Sequence, residues 1–129
     1  MIPDDLYYSK EHEWLRLEGD GSATIGITDH AQQELGDIVY VELPDPDAAL
    51  EADEVMGSVE SVKAVSEIFC PVAGTVTAVN ESLEDAPEMV NSAPYGDGWL
   101  IRLTLDDAAS VAGTMLSAAQ YETHVADVG

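Results

Sequence analysis

Alternating apolar and polar positions dominate the chain. Leu15 and Leu17 share one strand face, with Trp14 and Arg16 on the other, and Ala23, Ile25 and Ile27 repeat the pattern. Gly19-Asp20-Gly21 between the two runs is a turn signal, so they predict a hairpin. Thr28 then predicts a helix N-cap, with Asp29 in the first turn, where negative charge is favoured. The short helix covers Ala31 to Leu35. It stops at Gly36, which readily takes the left-handed C-cap conformation. Ile38 to Leu43 reads as a strand that is apolar on both sides except at Glu42, hence well buried. Pro44 to Asp53 is an acidic loop, since Pro44 and Pro46 cannot continue an interior strand. Ala48 to Leu50 adds a strand-like piece. Val55 to Val62, Ala64 to Phe69 and Gly74 to Val79 are further strands, the last with Val76 and Ala78 facing one way.

Leu83 to Val90 reads as irregular or a helical turn, interrupted by Pro87, and Asn91 to Gly98 is turn material. Trp99, Ile101, Leu103 and Leu105 share a strand face. From Asp106 the period turns helical. Val111, Met115 and Leu116 form a stripe, and Ser117 caps a final helix docked through Tyr121 and Val125 at i,i+4. The last residues are expected to fray. Seven or eight short strands with short helices predict a mainly β fold, a small sandwich or flattened barrel of antiparallel sheets. No βαβ spacing supports a Rossmann reading. A single domain spanning 1–129 is expected, with its core at about 3–105 and a C-terminal helical segment at about 106–126.

Composition narrows the function classes. Apolar residues make up 46% of the 129, ordinary globular stock, so the chain is not a disordered acidic tail. With 26 Asp and Glu against 4 Lys and Arg, the formal charge is −22. Four cations cannot offset phosphate repulsion, so nucleic acid is a poor partner. No apolar run approaches the ~20 residues of a membrane span. Met1 to Lys10 holds two aspartates and no basic run followed by an apolar stretch, so no signal peptide is expected and a cytoplasmic location is. Such a charge imposes self-repulsion on the compact state that salt screens, the surface of a protein working in high salt or one that docks basic partners. The expected result is a thermal or urea midpoint that climbs steeply with salt. A flat response overturns the high-salt reading.

Little enzyme chemistry is visible. His12, His30 and His124 are isolated in sequence, and no metalloprotease motif, EF-hand loop, P-loop or nucleophile elbow occurs, so neither a metal site nor a catalytic residue is expected. Cys70, between Phe69 and Pro71, reads as a small buried hydrophobe. The exception is Lys63. The stretch Val59-Glu60-Ser61-Val62-Lys63-Ala64-Val65-Ser66-Glu67-Ile68 reads as two strands joined at a tight turn around Val62, Lys63 and Ala64. A lysine at a hairpin tip projects into water while the strands anchor its base, which is what a modifying enzyme and a swinging arm both need. A solvated lysine guarding a strand edge is the other reading.

At this segment the chain resembles the H protein of the glycine cleavage system. Glu60-Ser61-Val62-Lys63-Ala64 with Gly74 eleven residues on matches the family's lipoylation segment. Four further blocks match in order: His12-Glu13-Trp14, then Gly26 to Gln32, then Leu35-Gly36-Asp37 with Val39 to Pro44, then Val90-Asn91-Ser92 with Pro94 to Trp99. The resemblance covers Pro3 to about Val125.

It implies a barrel-sandwich hybrid of the lipoyl/biotinyl type, two antiparallel sheets with short helices, some of them C-terminal, and Lys63 at a hairpin tip. It implies lipoate in amide linkage on Lys63. It implies a non-catalytic shuttle, expected to be a monomer, serving a pyridoxal-phosphate glycine decarboxylase (P protein), a tetrahydrofolate-dependent aminomethyltransferase (T protein) and dihydrolipoamide dehydrogenase (L protein), after a lipoylating enzyme has read Glu60 and its neighbours. Glu13 and His30 would line a cleft for the loaded arm, while Trp14 and Tyr40 would pack. Gly57 would permit a close backbone approach and Gly74 tight packing. Asp47 and Asp53 stand where the family usually has glycine, so that turn is expected to differ. Biotin carriers flank their lysine with methionines, and lipoyl domains of 2-oxoacid dehydrogenases put Asp before it. Val62 and Ala64 fit neither. A lipoyl relay of H type, handing lipoate to other enzymes, remains the alternative.

Overall fold

The computed structural model describes residues 3–128. The fraying expected of the chain's end concerns Gly129, outside the described residues. Strands β1 (Tyr7–Tyr8), β2 (Glu13–Leu17) and β3 (Ser22–Ile27) open the fold. β2 and β3 form the predicted hairpin, Trp14 opposite Gly26 and Leu17 opposite Ala23. Helix α1 (Asp29–Leu35) begins at Thr28, whose side chain accepts the Ala31 N–H, and ends at Gly36 with φ 83°, the conformation glycine adopts without penalty. β4 (Ile38–Glu42), β5 (Ala49–Leu50), β6 (Val55–Ser61), β7 (Val65–Phe69) and β8 (Gly74–Val79) follow. The span expected to be irregular holds two one-turn helices, α2 (Ser82–Asp85) and α3 (Met89–Ser92). They bury Leu83 and Val90. After β9 (Ile101–Leu105) come a 3-10 turn at Ala108–Ser110, the short α4 (Val111–Thr114) and α5 (Ala118–Val128). Ser117 and Gln120 form a reciprocal cap at the start of α5, each accepting the other's backbone N–H through its side chain.

The strands build two antiparallel sheets, one of six in the order β1-β2-β3-β9-β8-β5 and one of three in the order β4-β6-β7. Their inner faces enclose the main core, with Leu15, Ile25, Val59, Val76, Ile101 and Leu103 fully buried. A second cluster of Leu6, Tyr8, Trp14 and Tyr121 covers the outer face of β2 under α5. Trp14 therefore packs as expected, and its indole N–H donates to Pro94 O at 2.9 Å. Burying rings of this size contributes about 2–3 kcal/mol each.

Two expectations are corrected. β4 is not well buried: Val39 and Tyr40 are 48% and 54% exposed, so Tyr40 is a surface residue. β4 is an edge strand with a bulge between Ile38 and Tyr40, and its outer face meets no second layer. Val76 and Ala78 do not face one way. A bulge in β8 pairs Val76 with the inward Leu103 and Ala78 with the outward Arg102. In the acidic turn Asp47 and Asp53 take φ 73° and 69°, the left-handed region that favours glycine and that aspartate tolerates better than most residues.

Candidate functional site

Lys63 stands in water at the β6–β7 tip. The turn is tied by Ser61, which is almost fully buried. Ser61 N donates to Ala64 O at 2.8 Å. Its hydroxyl oxygen accepts the N–H groups of Lys63 and Ala64 at 3.2 and 3.1 Å. Val62 N donates to Asp37 O at 3.1 Å, which pins the tip to the start of β4. The backbone is thus fixed while the side chain is exposed, and among the described residues Lys63 is in no ion pair. A Cβ on Gly36 would come 3.1 Å from Lys63 Cε, so the lysine stem rests across the end of α1.

Around the tip the surface is apolar and acidic. Val62 and Val65 are 69% and 64% exposed. Tyr40, Glu60 and Val65 lie side by side across the three strands. Glu60 is exposed on the outward face.

Beside the tip, between α1 and β7, runs a cavity of about 170 Å³ lined by Glu11, His12, Ala31, Glu34, Leu35 and Glu67 among others, with Ile27, Ser66 and Ile68 completing it. It begins where the lysine stem lies, since Leu35 precedes Gly36 and Ser66 follows Lys63 by three residues. Ser66 to Ile68 lie about 10–16 Å from Lys63 along the strand at ~3.3 Å per residue. A lysine stem plus lipoyl chain extends roughly 12–14 Å. The groove therefore lies within reach of a chain of that length rooted at Lys63, and it has an apolar floor and three carboxylates, Glu11, Glu34 and Glu67. A larger hollow of about 420 Å³ between β4 and α2, rimmed by Glu42, Asp45, Glu81 and Glu84, includes neither wall of this groove.

Glu13 and His30 are close by but are not among the groove's lining residues. Glu13 lies past its far end, 2% exposed. Ser9 Oγ donates to Glu13 Oε1 at 2.5 Å. Burial pushes the Glu13 carboxyl up to about 7, against the hydrogen bonds from Ser9 and the Phe69 backbone that favour the charged form. Glu13 faces a separate hollow with Ser9, Asp53 and Pro71. His30 lies behind His12, ring centroids 4.6 Å apart. Its Nε2 is 2.9 Å from Glu34 Oε1 but misaligned for a hydrogen bond. The sequence reading missed Glu11, Glu34 and Glu67, because nothing distinguishes a groove acid among 26 acids, and it missed His12, which stands isolated in sequence from the other two histidines. One signal was available: Ala31 and Leu35 share the face of α1 that closes the groove.

The three histidines, isolated in sequence, converge. His12 is 4.6 Å from His30 and 5.8 Å from His124 between ring centroids. Among the described residues no set of three or more His, Cys, Asp or Glu is arranged to hold a metal ion, and no helix is long and apolar enough to cross a membrane. Cys70 is buried, and desolvation pushes its thiol up to about 11.

A sequence profile described as "Glycine cleavage H-protein" matches residues 6–128. The chain is 53% identical over 124 residues to the glycine cleavage system H protein of Pseudoalteromonas atlantica, covering 96% of this chain and 95% of that one. It is 50% identical over 129 residues to that of Halorhodospira halophila, covering 100% and 98%. It is 58% identical over 118 residues to that of Chromobacterium violaceum, covering 92% of each. Its structure is similar to the crystal structure of a glycine cleavage system H protein from Mycobacterium marinum, with TM-score 0.88, 35% identity, and coverage of 97% of this chain and 99% of that one.

Proposed function

The chain belongs to the glycine cleavage H-protein family, the non-catalytic lipoyl carriers of the glycine cleavage system, and from that premise we propose that Lys63 is the residue that bears lipoate, through an amide on its Nζ. The observation that carries this reading is an exposed amine on a turn whose backbone is held by Ser61 and Asp37. A rigid base with a free end lets an arm sweep between separate active sites, and tethering gives each docked partner a high local concentration of it. The lipoyl group supplies the dithiol chemistry that takes up and gives away an aminomethyl unit, which no side chain of this protein offers. Ser61 shapes the turn, while Glu60, Val62 and Ala64 present the segment to the lipoylating enzyme. The partners proposed are that enzyme, the decarboxylase, the aminomethyltransferase and dihydrolipoamide dehydrogenase, working in the cytoplasm. They meet an acidic surface that steers basic faces toward the tip and does so less well in salt.

The α1–β7 groove is proposed as the resting place of the loaded arm. Leu35, Ile27 and Ile68 would exclude water from its chain, and Glu11, Glu34 and Glu67 would face its cationic end. His30 packs against the lining residue His12, while Glu13 faces a separate hollow, so neither is proposed to line the groove. The test is intact-mass analysis of protein expressed in lipoate-competent cells, with peptide mapping. One lipoyl amide on Lys63, absent from Lys63→Arg, is expected. An adduct that persists in Lys63→Arg overturns the assignment.

A further inference from the structure

Tyr121 sits on the C-terminal helix and outside the groove, yet its hydroxyl touches two elements that form the groove's walls. It lies 2.7 Å from His12 Nδ1 and 2.7 Å from Thr28 Oγ1. His12 lines the groove directly. Thr28 is the N-cap of α1, its Oγ1 accepting Ala31 N–H at 3.2 Å, and α1 supplies Ala31, Glu34 and Leu35. Thr28 N also donates to His12 O at 3.0 Å. Tyr121 and Thr28 are fully buried, so a hydroxyl that loses its partner there is not rescued cheaply by solvent.

Counting protons gives the bonds a direction. Thr28 Oγ1 accepts from Ala31, and among the described residues Tyr121 Oη is the only acceptor within hydrogen-bond distance of it, so its own hydrogen goes to Tyr121 Oη. Tyr121 then donates to His12 Nδ1, which must be bare, and the ring proton sits on Nε2. If His12 became cationic, Nδ1–H would donate to Tyr121, Tyr121 would donate to Thr28, and the buried Thr28 hydrogen would be orphaned. His12 itself is held at φ 71°, an unusual conformation for a non-glycine residue that needs support from its surroundings.

We propose that Tyr121 is a positioning residue of the arm groove, its hydroxyl clamping His12 to the start of α1 and fixing His12 as the neutral Nε2–H tautomer. This rests on the groove reading above. A neutral wall is what a site for a cationic cargo requires, since a charged His12 would repel it. The groups facing His12 are His30 and Glu34 from α1, Tyr121 and His124 from α5, Glu11 from its own loop and Glu67 across the groove from β7. Burial, then His30 and His124, hold the ring's titration below its ordinary value, with Glu34 and Glu11 opposing. The Tyr121 ring is anchored independently, stacked on Tyr8 at 4.7 Å and 9°, so Tyr121→Phe removes the clamp and leaves the packing.

Two measurements test the clamp. Long-range proton–nitrogen NMR of the unmodified full-length protein should read His12 as Nε2–H. In Tyr121→Phe both tautomers should appear and His12 should titrate at higher pH, because a bond favouring its neutral form is gone. Thr28→Ser keeps the hydroxyl and should leave the tautomer unchanged. In protein loaded with lipoate and then by the decarboxylase with glycine, ammonia loss from the isolated carrier should be about threefold to tenfold faster in Tyr121→Phe, the worth of one net hydrogen bond. An unchanged tautomer overturns the clamp. An altered tautomer with unchanged ammonia loss overturns the positioning role, provided Glu34→Gln with Glu67→Gln does speed the loss. If that pair is also silent, the groove reading has failed and the clamp's purpose fails with it.

Discussion

Gly57→Ala is expected to cost about 3 kcal/mol or more of stability, enough to unfold much of the protein in low salt. A Cβ at Gly57 would fall 2.2 Å from Glu42 O and 3.5 Å from Leu43 Cα. Both contacts are backbone, so no side chain can turn aside, and β4 would have to leave β6. That separation does not stay local. β4 pairs with β6 from Ile38 to Glu42, and the Val62 N–H that pins the tip reaches Asp37 just before β4. β6 carries a register shift between Val55 and Gly57, so the strand cannot slide to relieve the clash without losing its pairing to β7. Overpacking of a rigid contact costs about 1–3 kcal/mol, and lost ladder bonds add to it. Urea unfolding at fixed slope gives the measurement. Gly113→Ala is the control: its Cβ would meet nothing within 4 Å, and it lies in α4, so a gain of up to about 1 kcal/mol is expected from helix propensity. Equal losses at the two sites would mean that the close approach of β4 to Gly57 is not what requires a glycine.

The features legible in the sequence are those whose cause is local. The β2–β3 hairpin, the Thr28 cap, the Gly36 stop and the Ser117 start of α5 each rest on residues within a few positions of one another. The modification segment was legible for the same reason, since tip and strands are contiguous. What stayed hidden depends on layers. β4 reads as buried because its residues are apolar, but its exposure follows from being an edge strand over which no second layer lies. His12, His30 and His124 look unrelated because their meeting needs α5 folded back over β1, through the Tyr8–Leu116 bridge and the Tyr8–Tyr121 stack. The left-handed φ of 73° and 69° at Asp47 and Asp53 is likewise a backbone demand that no side-chain pattern announces.

Glu13 was the acid whose environment no local pattern could reveal, and its titration should dominate the pH dependence of one variant comparison. In the unfolded chain its carboxyl titrates near 4.5, and in the folded protein near 7. Between those values the folded state holds a proton that the unfolded state has released, so stability falls as pH rises through the window. The stabilisation is complete below about pH 4.5 and is lost by about pH 8. At ~1.4 kcal/mol per pH unit the total is about 3 kcal/mol. This is opposite to the usual carboxylate, whose pairing stabilises at high pH. Glu13→Gln is the isostere of the protonated acid and keeps an oxygen for Ser9. It should match the parent near pH 4.5 and exceed it by about 3 kcal/mol at pH 8, both measured in the same high salt so that the other carboxylates cancel in the difference. A difference that does not change with pH would mean that the carboxyl is hydrated and titrates normally.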